Sequence, residues 1–343
     1  MRAPSALIFA ALIAATAVAG AQSQEGFRFK SGVDLVNVTA TVTDEDGRFV
    51  SGLRREDFTV YEDGKLQDVS HFSNDRVPVS LGIVLDTSGS MSPDKMAAAR
   101  SAIDRMIFDL LDQQDELFLV QFATRATLKQ DWTTDRGLIS RAVRDVSATG
   151  GTAIYDAVST AIPTAQAGKH QKKALLIISD GNDTNSSISV GSLRQQIRES
   201  EVLVYALGID GTGRRAADVV RPPVQLPMPM PFPFPGGRRP RPGVPPVPSG
   251  GSGGGGGWPG SPGDRVNADA LRQITDDTGG RTEIVRGFEG LGPATARIAD
   301  ELSKQYYLGY SSNTERDGQW HSIRVNVRER RLTVRARRGY IAS

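Results

Sequence analysis

The chain has 343 residues, a hydrophobic fraction of 38% and a formal net charge of +2. This size allows one large core with a smaller one beside it, and the balanced charge does not point to any particular partner. Cysteine is absent, which excludes disulfides, thiolate zinc sites and lipidation through an N-terminal cysteine. The histidines His71, His170 and His321 are far apart in sequence, so we do not expect them to form a metal cluster.

The first residues resemble an export signal. Arg2 is followed by an apolar run over residues 6–18 and by the small residues Ala19-Gly20-Ala21. This pattern predicts a signal peptide over residues 1–21, and hence an exported protein of the periplasm or the extracellular space. The alternative is an uncleaved membrane anchor, but the run is shorter than the roughly 20 residues that a spanning helix needs. No other stretch could span a bilayer, and an exported protein is not expected to bind nucleic acid.

Two types of periodicity follow in chain order. Residues 32–76 predict short strands, because Val36, Val38, Ala40 and Val42 alternate with polar residues. From residue 77 to 210, apolar strands (79–85, 117–122, 174–178, 202–209) alternate with helical patterns (93–111, 134–146, 153–167, 193–200). The alternation predicts an α/β fold with a doubly wound, mostly parallel sheet.

Residues 211–263 interrupt this pattern. They contain fourteen of the 19 prolines and the glycine run 253–257, so we expect a disordered or extended insertion. Its simplest role is that of a tolerated surface insertion. The alternatives are that residues 227–235 dock on an aromatic groove or that the segment frames a nearby site. Helices are expected at 267–278 and 293–304, with strands at 282–285, 305–310, 323–327 and 332–336.

Oxygen-bearing side chains follow the predicted strands at the points where a parallel sheet places ligand sites. Asp86, Ser88 and Ser90 follow the strand 79–85, Asp180 follows the strand 174–178, and Thr152 precedes a helix. Oxygen donors without sulfur or imidazole select a hard cation, and Mg²⁺ ranks first because it retains water readily, ahead of Ca²⁺ and Mn²⁺. As single motifs, Asp-x-Ser-x-Ser and Gly-Gly-Thr could instead cap helices, and Asp183 is expected to be a solvated loop residue.

The order of these motifs resembles the von Willebrand factor type A (VWA) domain, over about residues 77–210 and 264–288. The resemblance implies direct ligation by Ser88, Ser90 and Thr152, with Asp86 and Asp180 often acting through water, and an open position for a partner's Asp or Glu. The segments Glu56–Gly64, Tyr306–Tyr310 and Arg337–Tyr340 are similar to those of an exported bacterial subgroup of VWA-related proteins. The predicted domains are thus 32–76 (β segment), 77–288 (VWA domain with the insertion 211–263) and 289–343 (helix and β segment).

Catalysis is not expected. Ser88 stands where haloacid-dehalogenase phosphatases carry a second aspartate that acts as general acid, and a serine cannot do that work near neutral pH. No Gly-x-Ser-x-Gly elbow or phosphate-binding loop appears. We expect a metal-dependent protein-binding module for adhesion or envelope interaction. The alternative is a structural envelope scaffold in which the metal only stabilises loops.

Two expectations concern the C-terminal segment. We expect residues 305–340 to pack with residues 32–76 as one small β module, because neither set is stable alone. The last 20 residues are rich in arginine, which predicts a solvated strand face or, alternatively, a surface that binds anionic envelope polymers. These arginines are Arg324, Arg328, Arg330, Arg331, Arg335, Arg337 and Arg338.

Overall fold

A computed structural model describes residues 34–210, 266–312, 314 and 316–342. The predicted signal peptide 1–21 and the predicted insertion 211–263 lie outside the described residues. In chain order the strands are β1 (Asp34–Thr43), β2 (Phe58–Glu62), β3 (Lys65–Gln67), β4 (Val69–Ser73), β5 (Val79–Asp86), β6 (Glu116–Phe122), β7 (Ala126–Thr133), β8 (Lys172–Ser179), β9 (Leu203–Asp210), β10 (Thr282–Arg286), β11 (Tyr306–Ser312), β12 (Trp320–Val327), β13 (Thr333–Ala336) and β14 (Gly339–Ile341). The α-helices are α1 (Pro93–Arg105), α2 (Arg136–Arg144), α3 (Ile154–Gln166), α4 (Val190–Glu199), α5 (Ala268–Thr275) and α6 (Leu291–Lys304).

A six-stranded sheet forms the centre, in the order β10-β9-β8-β5-β6-β7. Its first five strands are parallel and β7 runs antiparallel to β6. Helices cover both faces: α1, α2 and α6 pack on one face through residues such as Ile103, Ile139 and Ile298, whereas α3, α4 and α5 cover the other. Every residue of β5 is buried, as a strand covered on both sides requires. The predicted α/β fold class is confirmed.

The strand β7 was not predicted from the sequence. It lies at the edge of the sheet, and most of its side chains are exposed or half-buried. An edge strand without a buried face has no need for alternating apolar residues, so the period-two signal is missing.

Strands from both ends of the described chain form the small β module, which consists of two antiparallel four-stranded sheets. One has the order β13-β1-β11-β4 and the other β14-β12-β2-β3. Their inner faces share one core, in which Phe58 and Phe72 pack around the ring of Tyr306. Within the described residues, no helix is long and apolar enough to cross a membrane.

The arginine-rich C-terminal segment does not present all of its charges to solvent. Arg335 hydrogen-bonds to the carboxylate of Glu301, and Arg337 lies 3.1 Å from a carboxylate oxygen of Glu201, with only 10% of its side chain exposed. The prediction of a solvated face is therefore wrong for these two residues, because the buried Glu301 and the exposed Glu201 pair with them. Arg324, Arg328, Arg330 and Arg331 are exposed.

A buried carboxylate joins the β module to the central domain. Glu301 of α6 accepts hydrogen bonds from Thr41 Oγ1 in β1 (3.1 Å), from Tyr205 OH in β9 (2.9 Å) and from Arg335 in β13. Arg281 lies 3.2 Å from its other oxygen. One side chain thus links four elements that are distant in sequence.

We predict that Glu301→Gln lowers the free energy of unfolding by about 2 kcal/mol, because Arg335 loses its partner charge and Arg281 keeps only its ion pair with Glu283. This is below the usual value for a fully buried pair, since both arginines keep some contact with water. Urea denaturation measures the change, and Glu329→Gln at an exposed position is the matched control. Equal stability of the two variants would contradict the assigned role of Glu301.

Candidate metal site

The first segment of the site is the loop that follows β5. Asp86 is fully buried at the end of this strand, and its Oδ1 accepts a hydrogen bond from the backbone N–H of Ser88 (2.8 Å). The Oγ atoms of Ser88 and Ser90 lie 2.9 Å apart, and Ser90 is exposed. The loop therefore brings a carboxylate and two hydroxyls together at a point that solvent can reach.

The second segment follows β8, which pairs with β5. Ser179, the last residue of β8, donates its hydroxyl to Asp86 Oδ2 (2.5 Å) and accepts a hydrogen bond from the N–H of Gly181 (2.9 Å). Asp180 stands between these two residues and is fully buried. Its Oδ1 atom is buried and has no hydrogen-bond partner among the described residues. A buried carboxylate oxygen without a donor is costly, so this atom is available to a cation or a water molecule from outside the chain.

The third segment carries Thr152. The N–H of Gly89, between the two site serines, donates to Gly150 O (2.9 Å), and the N–H of Thr149 donates to Thr87 O (2.8 Å). Gly150 has φ +82°, a conformation that favours glycine. Thr152 itself is buried. Backbone hydrogen bonds thus join the loop before α3 directly to the loop after β5.

The capping alternatives are not supported. The N-cap of α1 is Ser92, whose hydroxyl accepts from Lys95 N (3.4 Å). At α3, the carboxylate of Asp183 accepts from Ile154 N (2.9 Å) and from Ser186 Oγ (2.5 Å). Asp183 is half-buried, so it is not the solvated loop residue expected from the sequence. None of the predicted site residues has a capping role.

The two buried carboxylates influence each other. Burial raises the pKa of Asp86 to about 6, and the negative charge of Asp180 adds to this effect, although hydrogen bonds from Ser179 and Ser88 oppose it. Two carboxylates in a low-dielectric site favour a cation that offsets both charges. The available donors are carboxylate and hydroxyl oxygens, which suits a hard divalent ion. The five predicted ligand residues are called the oxygen cluster below: Asp86, Ser88, Ser90, Thr152 and Asp180.

Lys95 was missed by the sequence analysis. It lies in the first turn of α1, is 4% exposed, and donates from Nζ to Ser90 O (3.0 Å) and Asp180 Oδ2 (3.4 Å). A signal was present, because Lys95 belongs to the buried stripe of α1 that includes Met96, Ala99 and Ile103. A lysine in an apolar stripe, at the helix end where the dipole disfavours cations, requires a specific anionic partner.

A second cluster of ligand-type side chains lies in the β module. Oxygens of Glu62 and Asp63 and a ring nitrogen of His321 lie within 4.8 Å of one another. His321 Nδ1 is 2.8 Å from Asp63 Oδ2, and Nε2 is 3.1 Å from Asp317 Oδ1. Carboxylates only accept, so both nitrogens donate, as in an imidazolium. Burial disfavours this cation, but the two carboxylates outweigh burial and raise the pKa of His321. The sequence separation of these residues hid the cluster.

The described geometry defines an α/β domain with oxygen-rich loops at the carboxyl ends of β5 and β8. Residues 81–182 match the family model of the von Willebrand factor type A domain. The matched residues include the whole oxygen cluster.

The curated relatives match over part of their length. An uncharacterized protein of Synechocystis sp., sll0103, is 28% identical over 140 residues, which are 39% of this chain and 32% of that protein. Human inter-alpha-trypsin inhibitor heavy chain H4 is 26% identical over 154 residues, which are 40% of this chain and 16% of that protein. The chain thus spans about a third or less of these relatives.

Solved structures are also similar. A von Willebrand factor type A protein from Catenulispora acidiphila has a TM-score of 0.48 and 13% identity, over 92% of this chain and 74% of that one. The conserved hypothetical protein BatB from Bacteroides thetaiotaomicron has a TM-score of 0.45 and 21% identity, over 66% and 98%. Proximal thread matrix protein 1 of the mussel byssus, with a zinc-occupied adhesion-site motif, has a TM-score of 0.46 and 15% identity, over 71% and 50%.

We predict that the stabilising effect of His321 decreases as pH rises. The pKa of His321 in the folded protein lies above its unfolded value of about 6.5. The stabilisation by His321 is therefore complete below a pH of about 6.5 and is lost as pH rises through the folded-state pKa. The measurement is urea denaturation of the wild type and His321→Gln at several pH values from about 5.5 to 9. The difference in unfolding free energy should shrink toward alkaline pH.

The exposed His71 provides the control for this experiment, as His71→Gln. Asp63 and Asp317 both have lowered pKa values and stay charged over the tested range. A difference for His321→Gln that is independent of pH, or that grows with pH, would contradict the assignment.

Proposed function

We propose that this chain is a metal-dependent protein-binding module whose oxygen cluster is a metal-ion-dependent adhesion site that captures an Asp or Glu of a partner protein. The buried, unpartnered Oδ1 of Asp180, beside the Ser88–Ser90 hydroxyl pair, is the observation that carries the proposal. Ser88, Ser90 and Thr152 would hold the ion directly, with Asp86 and Asp180 completing its shell through water or directly. Mg²⁺ is the first choice, and Ca²⁺ or Mn²⁺ would use the same donors. A bound divalent ion supplies a Lewis-acidic position for the partner's carboxylate.

Exposure of the cluster supports binding of a partner. Ser90 and Gly89 are both exposed, whereas Asp86, Ser88 and Asp180 behind them are buried. The charged donors are thus held inside the protein, and the serine edge is open to an approaching molecule. A carboxylate arriving at this edge would meet an ion whose other ligands are already fixed.

The alternative is a scaffold in which the ion only holds loops together. The loops are already joined by hydrogen bonds within the protein, between Gly89 and Gly150, between Thr87 and Thr149, and between Asp86 and Ser179. An ion is therefore not needed to connect them, which favours partner capture. The hydroxyls of Ser88 and Ser90 also hydrogen-bond to each other rather than to a base, which favours binding over catalysis.

The site of action follows from the predicted signal peptide. We place the protein outside the cytoplasm, in the periplasm or the extracellular space, where an adhesion or envelope-assembly partner would present its carboxylate. The four exposed arginines Arg324, Arg328, Arg330 and Arg331 could add contacts to anionic envelope polymers.

We predict that the purified protein binds one divalent ion and that Asp180→Asn weakens this binding at least about tenfold, because a charged ligand is lost. Isothermal calorimetry with Mg²⁺, Ca²⁺ and Mn²⁺ measures the affinity. Asp276→Asn is the matched control, because this aspartate is exposed and lies outside the cluster. A wild-type protein that binds none of the three ions would refute the site.

Partner capture is tested separately with immobilised wild-type protein and envelope extract, with and without EDTA. Asp86→Ala is the second metal-free control. Proteins that are retained only by the metal-loaded wild type support the adhesion function. If the ion binds and raises the unfolding temperature, yet the retained proteins are the same with EDTA, the scaffold alternative is correct.

A further inference from the structure

We infer that Lys95 sets the charge of the metal site, so that the metal-loaded site selects an anionic ligand over a neutral one. This inference rests on the proposed function. Lys95 is a buried cation of the site, and both hydrogen bonds of its Nζ are to residues of the oxygen cluster. Burial of an ammonium group is costly unless anionic or carbonyl groups receive it, so the contacts with Ser90 and Asp180 fix its position.

The lysine and an ion would use different atoms of the same residues. Asp180 contacts Lys95 Nζ with Oδ2, and its Oδ1 has no hydrogen-bond partner where the structure describes the chain. Ser90 accepts from Lys95 with its carbonyl oxygen, while its hydroxyl faces Ser88. Lys95 therefore does not occupy the position of the ion, and both cations can be present together.

The charges around the bound ion would make the metal-loaded site selective for an anionic ligand. The carboxylates of Asp86 and Asp180 balance a divalent ion, and Lys95 adds one positive charge. The nearby carboxylate of Asp183 faces the N-terminus of α3, where Ile154 N and Ser186 Oγ donate to it. A monoanion on the exposed side neutralises the loaded site, whereas water or an amide leaves a positive charge in a partly buried environment.

The same argument gives effects of opposite sign for one substitution. Lys95 repels an incoming divalent ion and attracts an incoming carboxylate. Removal of its charge should therefore tighten binding of the metal and weaken binding of the anion. A lysine with a purely structural role would, when replaced, weaken both.

The test compares the wild type with Lys95→Met, which keeps a linear apolar chain, and with Lys95→Arg, which keeps the charge. Mn²⁺ affinity is measured by calorimetry. The Mn²⁺-loaded protein is then titrated with acetate and with the neutral acetamide, and water-proton relaxation reports displacement of water from the ion. Lys129→Met removes a charge at an exposed position and is the control.

We expect the wild type to bind acetate and not acetamide. Lys95→Met should bind Mn²⁺ about tenfold more tightly and acetate about tenfold more weakly, the range typical of groups that support metal ligands. Lys95→Arg should retain acetate selectivity. If Lys95→Met does not fold, as judged by circular dichroism, Lys95→Gln provides the neutral variant, because its amide can still donate to Ser90 O.

Parallel loss of Mn²⁺ and acetate binding in the neutral variant would overturn the inference, as would unchanged acetate binding. Either result leaves the proposed function intact when the wild type still binds Mn²⁺. A wild type that binds no divalent ion refutes the proposed function itself, and the two failures are therefore distinguishable.

Discussion

The burial of two carboxylates at the ends of neighbouring parallel strands is the constraint on which the site depends. Asp86 and Asp180 are both fully buried, and the pKa of Asp86 is raised, chiefly by burial. The fold reduces the cost with specific donors: Ser88 N and Ser179 Oγ for Asp86, and Lys95 Nζ for one oxygen of Asp180. The other oxygen of Asp180 has no hydrogen-bond partner within the described part of the chain.

A buried carboxylate with specific donors also connects the β module to the central domain. Glu301 is buried between the β module and the central domain, and its oxygens are satisfied by hydroxyls and by two arginines. At this position the donors are supplied entirely by the chain. Glu301 therefore has partners for both oxygens within the chain, whereas Asp180 keeps one oxygen without a donor among the described residues.

The sequence was sufficient for the parts of the molecule that are periodic or local. Buried strands such as β5 and β8 are continuous apolar runs, and the oxygen-bearing residues follow them directly, so the position of the site at the sheet edge was predictable. The Glu301 contacts were not predictable, because Thr41 and Glu301 are 260 positions apart and nothing local marks the pair. The edge strand β7 was missed because its face is exposed. Lys95 could have been found from its place in the apolar stripe of α1.

The position of the β module is consistent with a site that meets a partner. The β module contacts the central domain near the beginnings of the parallel strands. Thr41 and Arg335 of the β module and Tyr205 of β9 all donate hydrogen bonds to Glu301. The N–H of Arg338 donates to Asp277 O, and the hydroxyl of the next residue, Thr278, accepts from Val204 N. Val204 and Tyr205 are among the first residues of β9, whereas Asp86 and Asp180 stand at the other ends of their strands. Since the strands are parallel, the β module lies at the amino edge of the sheet, opposite to the carboxyl edge that carries the oxygen cluster. The ends of the described chain are thus packed away from the surface that a carboxylate-bearing partner would approach.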